Sequence, residues 1–207
     1  MKLKPVLDEI QHELHVLTGD EAKHKTYSSE QTFADEQTAL EAFARSKEKL
    51  FDVNTWSDLS SFTADFVLYD QTGNRVTYHP PKVGDYIEID LPGPTPKNWV
   101  QVIDVTDEET KAEFTVRPST RPQPDGQAEG EKIEHFFQSK ATSTFRIERD
   151  GCTIKAYEIG RNEAINNQGP ESGDRAIINT FIAEAGWLFH QPIQWKVLTD
   201  YLVHLPL

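Results

Sequence analysis

The chain has a single cysteine, Cys152, among 207 residues. No internal disulfide can form, and a zinc site built from several cysteines is excluded. Positive charge is scarce as well: 21 Lys and Arg stand against 34 Asp and Glu, a formal net charge of -13. Those cations are scattered, and without a basic run to neutralise phosphates the chain does not read as a binder of nucleic acid or of anionic membranes. Long hydrophobic runs are also missing. The stretch Met1 to Pro5 is basic, but Glu9, Glu13 and Asp20 come soon after it, and nothing has the apolar length of a signal peptide or a membrane span. A soluble, cytoplasmic protein without membrane insertion is the expectation. There is no Gly-x-Ser-x-Gly elbow, no glycine-rich phosphate loop and no dinucleotide fingerprint, so no cofactor is expected.

The residues that are present show clear periodicity, and the chain length suits a single domain over residues 1–207. Val6, Leu7, Ile10, Leu14 and Leu17 mark one face of a short helix that Gly19 ends, a helical extension over residues 1–22. Lys23 to Phe33, rich in Thr, Tyr and Ser, reads as an edge strand. Thr32-x-x-Asp35 resembles a capping box ahead of a helix over Glu36 to Phe51, with Leu40, Phe43, Ala44, Lys47, Leu50 and Phe51 on one face. Trp56 and Leu59 should pin the break after that helix.

From Phe62 the period changes to two. Phe62 to Tyr69 reads as a strand that turns through Gln71 to Asn74 into Arg75 to Tyr78 as a hairpin. Ile87, Ile89 and Leu91 alternate with Glu88 and Asp90 until Pro92 to Pro96 ends the strand. Trp99 to Val105 and Lys111 to Arg117 are the next two strands, with Val100, Val102, Ala112, Phe114 and Val116 expected inward. Pro118 to Lys132 is polar and reads as a long mobile loop. His135 to Arg149 and Cys152 to Ile159 meet at Asp150-Gly151, a strong hairpin signal. Gly160 to Gly173 is a second polar loop. Asp174 to Leu205 then has Ile177, Phe181, Ala185 and Leu188 at helical spacing, with Trp195, Leu198, Leu202 and Leu205 beyond them on a face turned away from the first. Pro192 predicts a kink or break near His190 to Pro192.

Consecutive antiparallel strands flanked by helices predict an α+β domain: a curved antiparallel sheet of about six or seven strands gripping a long C-terminal helix, with an additional N-terminal helix. That order of elements, with Val83-Gly84-Asp85 leading into a strand and the terminal helix, resembles the START-like superfamily, the helix-grip fold of polyketide cyclases and lipid-transfer domains. The resemblance implies a cavity between sheet and terminal helix for a small apolar or aromatic molecule.

The candidate residues fall into three groups. Trp56, Phe66, Trp99, Phe114, Phe136, Phe145, Tyr157 and Trp187 are aromatic and suited either to lining such a pocket or to plain core. Gly160-Arg-Asn-Glu163 is the densest polar group after a predicted strand: Arg161 is a potential anion clamp and Asn162 a gate partner, while the bland reading is a solvated turn. His135, Glu163 and His190 are the candidate proton acceptors, none with a triad partner in sequence. His12-x-x-His15 lacks further ligands at a recognisable distance, so no metal site is expected. Three functions therefore stand as alternatives: a binder of a small apolar or aromatic ligand, a non-enzymatic interaction or regulatory protein with a filled core, and a cyclase-like or hydrolase-like enzyme.

Overall fold

A computed structural model describes residues 23–59, 64–77, 80–91, 96–123, 133–167 and 188–207. The expected N-terminal helix, most of the 118–132 loop, and the part of the terminal segment that contains Trp187 lie outside these residues. Seven strands form one curved antiparallel sheet: β1 (Lys23–Thr32), β2 (Asp65–Tyr69), β3 (Tyr86–Asp90), β4 (Asn98–Asp107), β5 (Lys111–Pro118), β6 (Thr142–Asp150) and β7 (Thr153–Glu163). Their order is β1-β7-β6-β5-β4-β3-β2. Strands β2 to β7 run as a meander, and β1 closes beside β7.

Alternation puts one apolar set on the inner face. Phe66, Leu68, Ile87, Val100, Val102, Ala112, Phe114, Val116, Phe145, Ile147, Ile154 and Ala156 are all buried. Register brings Phe114 opposite Phe145 and Ile147 opposite Ala156, so neighbouring strands add to one surface. Helix α1 (Glu36–Phe51), a 3-10 helix (Val53–Asp58) and helix α2 (Leu188–Leu202) cover that face. The expected α+β architecture is the observed one.

The helix termini explain how the cover is held. The α2 C-terminus ends at His204, whose backbone is left-handed (φ 66). There Leu205 N–H donates to the Asp200 carbonyl and His204 N–H to that of Tyr201, the pairing that satisfies orphan carbonyls at a helix end. Ser46 Oγ on α1 donates to the Leu202 carbonyl at 2.6 Å, and Lys49 Nζ to that of Tyr201 at 2.7 Å. On the other flank, Ser29 Oγ of β1 donates to Asp200 Oδ1 at 2.6 Å. The helix is thus tied to both α1 and the β1 edge.

Several local expectations are corrected. Asp35, not Thr32, caps α1, its carboxylate accepting Thr38 N–H at 2.7 Å; Thr32 stays in β1, its hydroxyl paired with that of Thr153. The buried face of α1 is Ala39, Ala42, Phe43, Ser46, Leu50 and Phe51, which keeps Phe43, Leu50 and Phe51 of the expected set, whereas Leu40 is 43% exposed. The Arg75 arm of the expected hairpin reduces to a single bridge with Tyr69, and β2 pairs with β3. Arg75 and β3 lie on opposite sides of β2, and Asp70 gathers the N–H groups of Thr72 and Asn74 into a tight turn. His135 to Ala141 is not part of β6, since only Phe137 bridges, to Ile165. Pro192 lies inside α2, which is unbroken over Leu188–Leu202, so the expected break does not occur there; its missing N–H forfeits one hydrogen bond, that to the residue four earlier.

Gly84 precedes β3 in a left-handed conformation (φ 96) beside the Gln71 side chain. Its N–H donates to the Val102 carbonyl while Val102 N–H returns to that of Asp85. That exchange ties the lead-in of β3 to β4, and a side chain at Gly84 would be strained.

Candidate functional site: a cavity under the terminal helix

The inner face does not close completely. A cavity of ≈ 50 Å³, measured to the centre of a water-sized sphere, lies between the sheet and α2. About 10–15 Å³ of such space admits one water, so this is more than a packing defect. Its wall is mostly aromatic and aliphatic: Trp56, Phe66, Phe136 and Phe145, with Trp195 from α2. Polar groups enter from one side, namely His135, Thr142, Ser143 and Glu163.

The aromatic part is rigid. Trp56 meets Phe66 edge-on at 5.5 Å and Phe145 at 5.0 Å, and stacks on Phe114 at 5.8 Å. Its Nε1 donates to the Lys49 carbonyl at 2.9 Å. The indole is therefore fixed at both its ring and its polar end. His135 lies flat on Phe136 with ring centroids 4.6 Å apart. Its Nδ1 accepts Phe137 N–H at 2.9 Å, which assigns the proton of the neutral ring to Nε2.

The polar part comes from a fault in β7. Ile154, Ala156, Glu158 and Gly160 are the buried positions of the alternating strand. Strict alternation would make Asn162 the next inward residue and point Glu163 out. Instead Lys25 pairs with Gly160 and Lys23 with Glu163, so three steps on β7 oppose two on β1. Asn162 absorbs the extra residue with φ 54. This is a β-bulge, and it leaves Arg161 and Asn162 exposed while Glu163 is buried. Arg161 Nη1 donates to the carbonyls of Lys25 at 3.3 Å and Gly160 at 2.9 Å, clasping the bulge. A Cβ at Gly160 would meet the Glu163 carboxylate, which would have to shift.

Glu158 is fully buried, and neither carboxylate oxygen has a hydrogen-bond partner among the described residues. It stands opposite Phe145 on β6 and Tyr27 on β1. Burial, reinforced by the charge of Glu163, pushes its pKa well above the ordinary carboxylate range, while Ser143, Arg161 and Lys25 act the other way. The Tyr27 phenol is pushed up to about 12, first by burial and then by Glu163 and Glu158. Trp195, 7% exposed, carries an Nε1–H without an acceptor among the described residues.

Of the residues singled out in the sequence, the structure brings Trp56, Phe66, Phe136, Phe145, His135 and Glu163 to one cavity. Phe114 sits one layer behind, against Trp56 and Phe145. Trp99 is off the cavity wall, its ring against Tyr69 at 5.1 Å. Tyr157 alternates with the buried Ala156 and Glu158 and so points to the other face. Arg161 and Asn162 shape the bulge instead of the wall. Trp187 lies outside the described residues, as does the side chain of His190, whose backbone is in the first turn of α2. Glu158, Ser143 and Trp195 were not foreseen as site residues. A signal for Glu158 existed: it continues the apolar phase of Ile154 and Ala156, where a carboxylate is out of place.

A curved antiparallel sheet closed by a C-terminal helix defines a helix-grip fold. The sequence matches no family model and no curated protein. Among solved structures, the chain is similar to a hypothetical protein from Helicobacter pylori, with TM-score 0.54, 11% identity and 92% of each chain covered. It is also similar to norcoclaurine synthase from Thalictrum flavum, with TM-score 0.40, 12% identity, and 89% of this chain and 97% of that one covered. A major latex-like protein from Panax ginseng has TM-score 0.39, 11% identity, and coverage of 88% and 99%. At such identities the first likeness is one of fold.

Proposed function

We propose that this protein binds a small apolar or aromatic molecule in the cavity between the sheet and α2. The observation that carries the reading is the wall itself, in which aromatic rings, Trp56, Phe66, Phe136, Phe145 and Trp195, line a partly open space together with a few polar groups. The interaction-protein alternative gains little support, because the exposed large apolar residues among the described ones, Leu40, Val83, Ile193 and Leu207, are aliphatic and fall on separate segments. A cyclase-like or hydrolase-like reading draws on Glu163 and His135 sharing the cavity. Against His135 as its base stands the Phe137 N–H on Nδ1; Glu163 is the remaining candidate. No helix among the described residues is long and apolar enough to cross a membrane. A cytoplasmic location is part of the proposal.

Native mass spectrometry of freshly purified protein, compared with the same sample after denaturation and extraction, tests the reading. The expected result is a mass excess that denaturation removes, with one extractable apolar compound. A bare chain mass, together with no saturable binding of single-ring aromatics, would overturn it.

A further inference from the structure

We propose that His204 and Lys49 form an acid-released clasp on the C-terminal end of α2: the neutral imidazole locks the helix to α1 over the cavity, and a proton on its Nδ1 unlocks it. The clasp stands on its own geometry, and its effect on a ligand rests on the cavity reading above.

Hydrogen bonding assigns both ring nitrogens. His204 Nε2 lies 2.9 Å from the Ala42 carbonyl, which can only accept, so the proton of the neutral ring is on Nε2. Nδ1 lies 2.8 Å from Lys49 Nζ, and an ammonium can only donate, so Nδ1 is the acceptor. The same ammonium donates to the Tyr201 carbonyl at 2.7 Å and lies 4.3 Å from the centre of the Tyr201 ring. One half-buried cation therefore holds the last turn of α2, and the His204 lone pair holds the cation. His204 keeps this position with a left-handed backbone (φ 66), uncommon for a residue other than glycine.

A proton on Nδ1 turns the acceptor into a donor aimed at an ammonium. The bond is lost and two cations are left in contact, which favours expulsion of Lys49 from the Tyr201 carbonyl. The other groups around the ring do not offset this. Helix α1 adds the Arg45 cation, the Ser46 hydroxyl and the Ala42 carbonyl, and Phe33, after β1, adds an uncharged ring edge. Asp200, the carboxylate of the last turn of α2, is engaged on the other flank by Ser29 and Lys196. Burial first, then the charges of Lys49 and Arg45, lower the His204 pKa against the pull of the Ala42 hydrogen bond. A lowered histidine value means that the clasp is fully present above about pH 6.5 and drains as pH falls toward the folded-state value. Because Ser29 keeps Asp200 on the β1 flank, acid frees one side of α2 only. Trp195 on the same helix lines the cavity, so the movement loosens its wall.

The test follows the His204 ring by NMR and the amide exchange of the last turn of α2 on the whole chain from pH 7.5 to pH 5. Benzyl alcohol, which does not titrate in that range, serves as the cavity probe. In the parent, exchange corrected for its intrinsic rate should rise about threefold or more in acid, with probe affinity falling by a similar factor. His204→Asn tolerates the left-handed backbone and keeps an acceptor for Lys49 without a titrating ring; both responses should vanish. Lys49→Met removes the opposing cation, so His204 should titrate closer to about pH 6.5. Should one variant fail to fold, the other and the titration of the parent ring still decide. A response that persists in His204→Asn, or a parent His204 that titrates above about pH 6.5, would overturn the clasp. Opening of the last turn with unchanged probe affinity would overturn its link to the cavity. Absence of probe binding at either pH would count against the cavity reading, while the exchange data still decide the clasp.

Discussion

Two stretches of the concave face, adjacent on β6 and β7, are built on opposite principles. Around Trp56, Phe114 and Phe145 every ring meets another at 5.0 to 5.8 Å, and the one polar atom of Trp56 has its acceptor. Around Glu158 a carboxylate occupies an apolar position without a partner among the described residues, and the strand beside it is bulged. The first stretch obeys the rules by which a core is made. The second breaks several of them within six residues, and departures of that kind gather where a protein does something other than fold. The difference separates a stretch packed for stability from one that stability alone does not explain.

Replacing Trp56 by Ala should have the largest effect on that contrast, a loss of about 3–5 kcal/mol, typical for truncating a buried large aromatic. Urea unfolding should show a lower midpoint with an unchanged slope. A loss under about 1 kcal/mol would mean that the aromatic end is not the structural anchor.

Glu158→Gln tests the other end. Because the folded-state pKa of Glu158 is raised, the folded protein keeps a proton that the unfolded chain releases near pH 4.3. Its contribution is therefore full below that pH and drains as pH rises toward the folded-state value, by up to about 1.4 kcal/mol per pH unit. The variant should remove this component and flatten stability against pH between 5 and 8. Identical pH profiles for variant and parent would show that Glu158 is not buried as a neutral acid.

Asn162→Val should cost about 1–2 kcal/mol, since a β-branched residue resists the left-handed backbone, whereas Asn162→Gly should be nearly neutral. Thermal unfolding of the pair separates backbone strain from loss of the side chain. Equal effects would argue against the bulge as the cause. The smallest effect is expected for Trp195→Phe, within about 1 kcal/mol, because the ring contact with Phe145 is largely kept and the donor lost has no acceptor among the described residues. A large loss would reveal an acceptor for that N–H.

Local periodicity carried the architecture. The alternation of Phe66 with Leu68, of Val100 with Val102 and of Ala112, Phe114 and Val116 determines which face of each strand is buried, because successive side chains must point to opposite sides. Asp150-Gly151 likewise determines the β6–β7 hairpin. The aromatic wall was legible to the same extent, through Trp56, Phe66, Phe136 and Phe145. Only the tertiary structure decided that β2 pairs along its length with β3 while Arg75 adds a single bridge to Tyr69 on the other side of the strand. It alone decided that Glu163 points inward, because a bulge shifts the strand phase and depends on how β1 sets its register against β7. The same holds for Glu158: its place in the alternation is written in the sequence, but its full burial and its raised pKa are properties of the groups that pack around it.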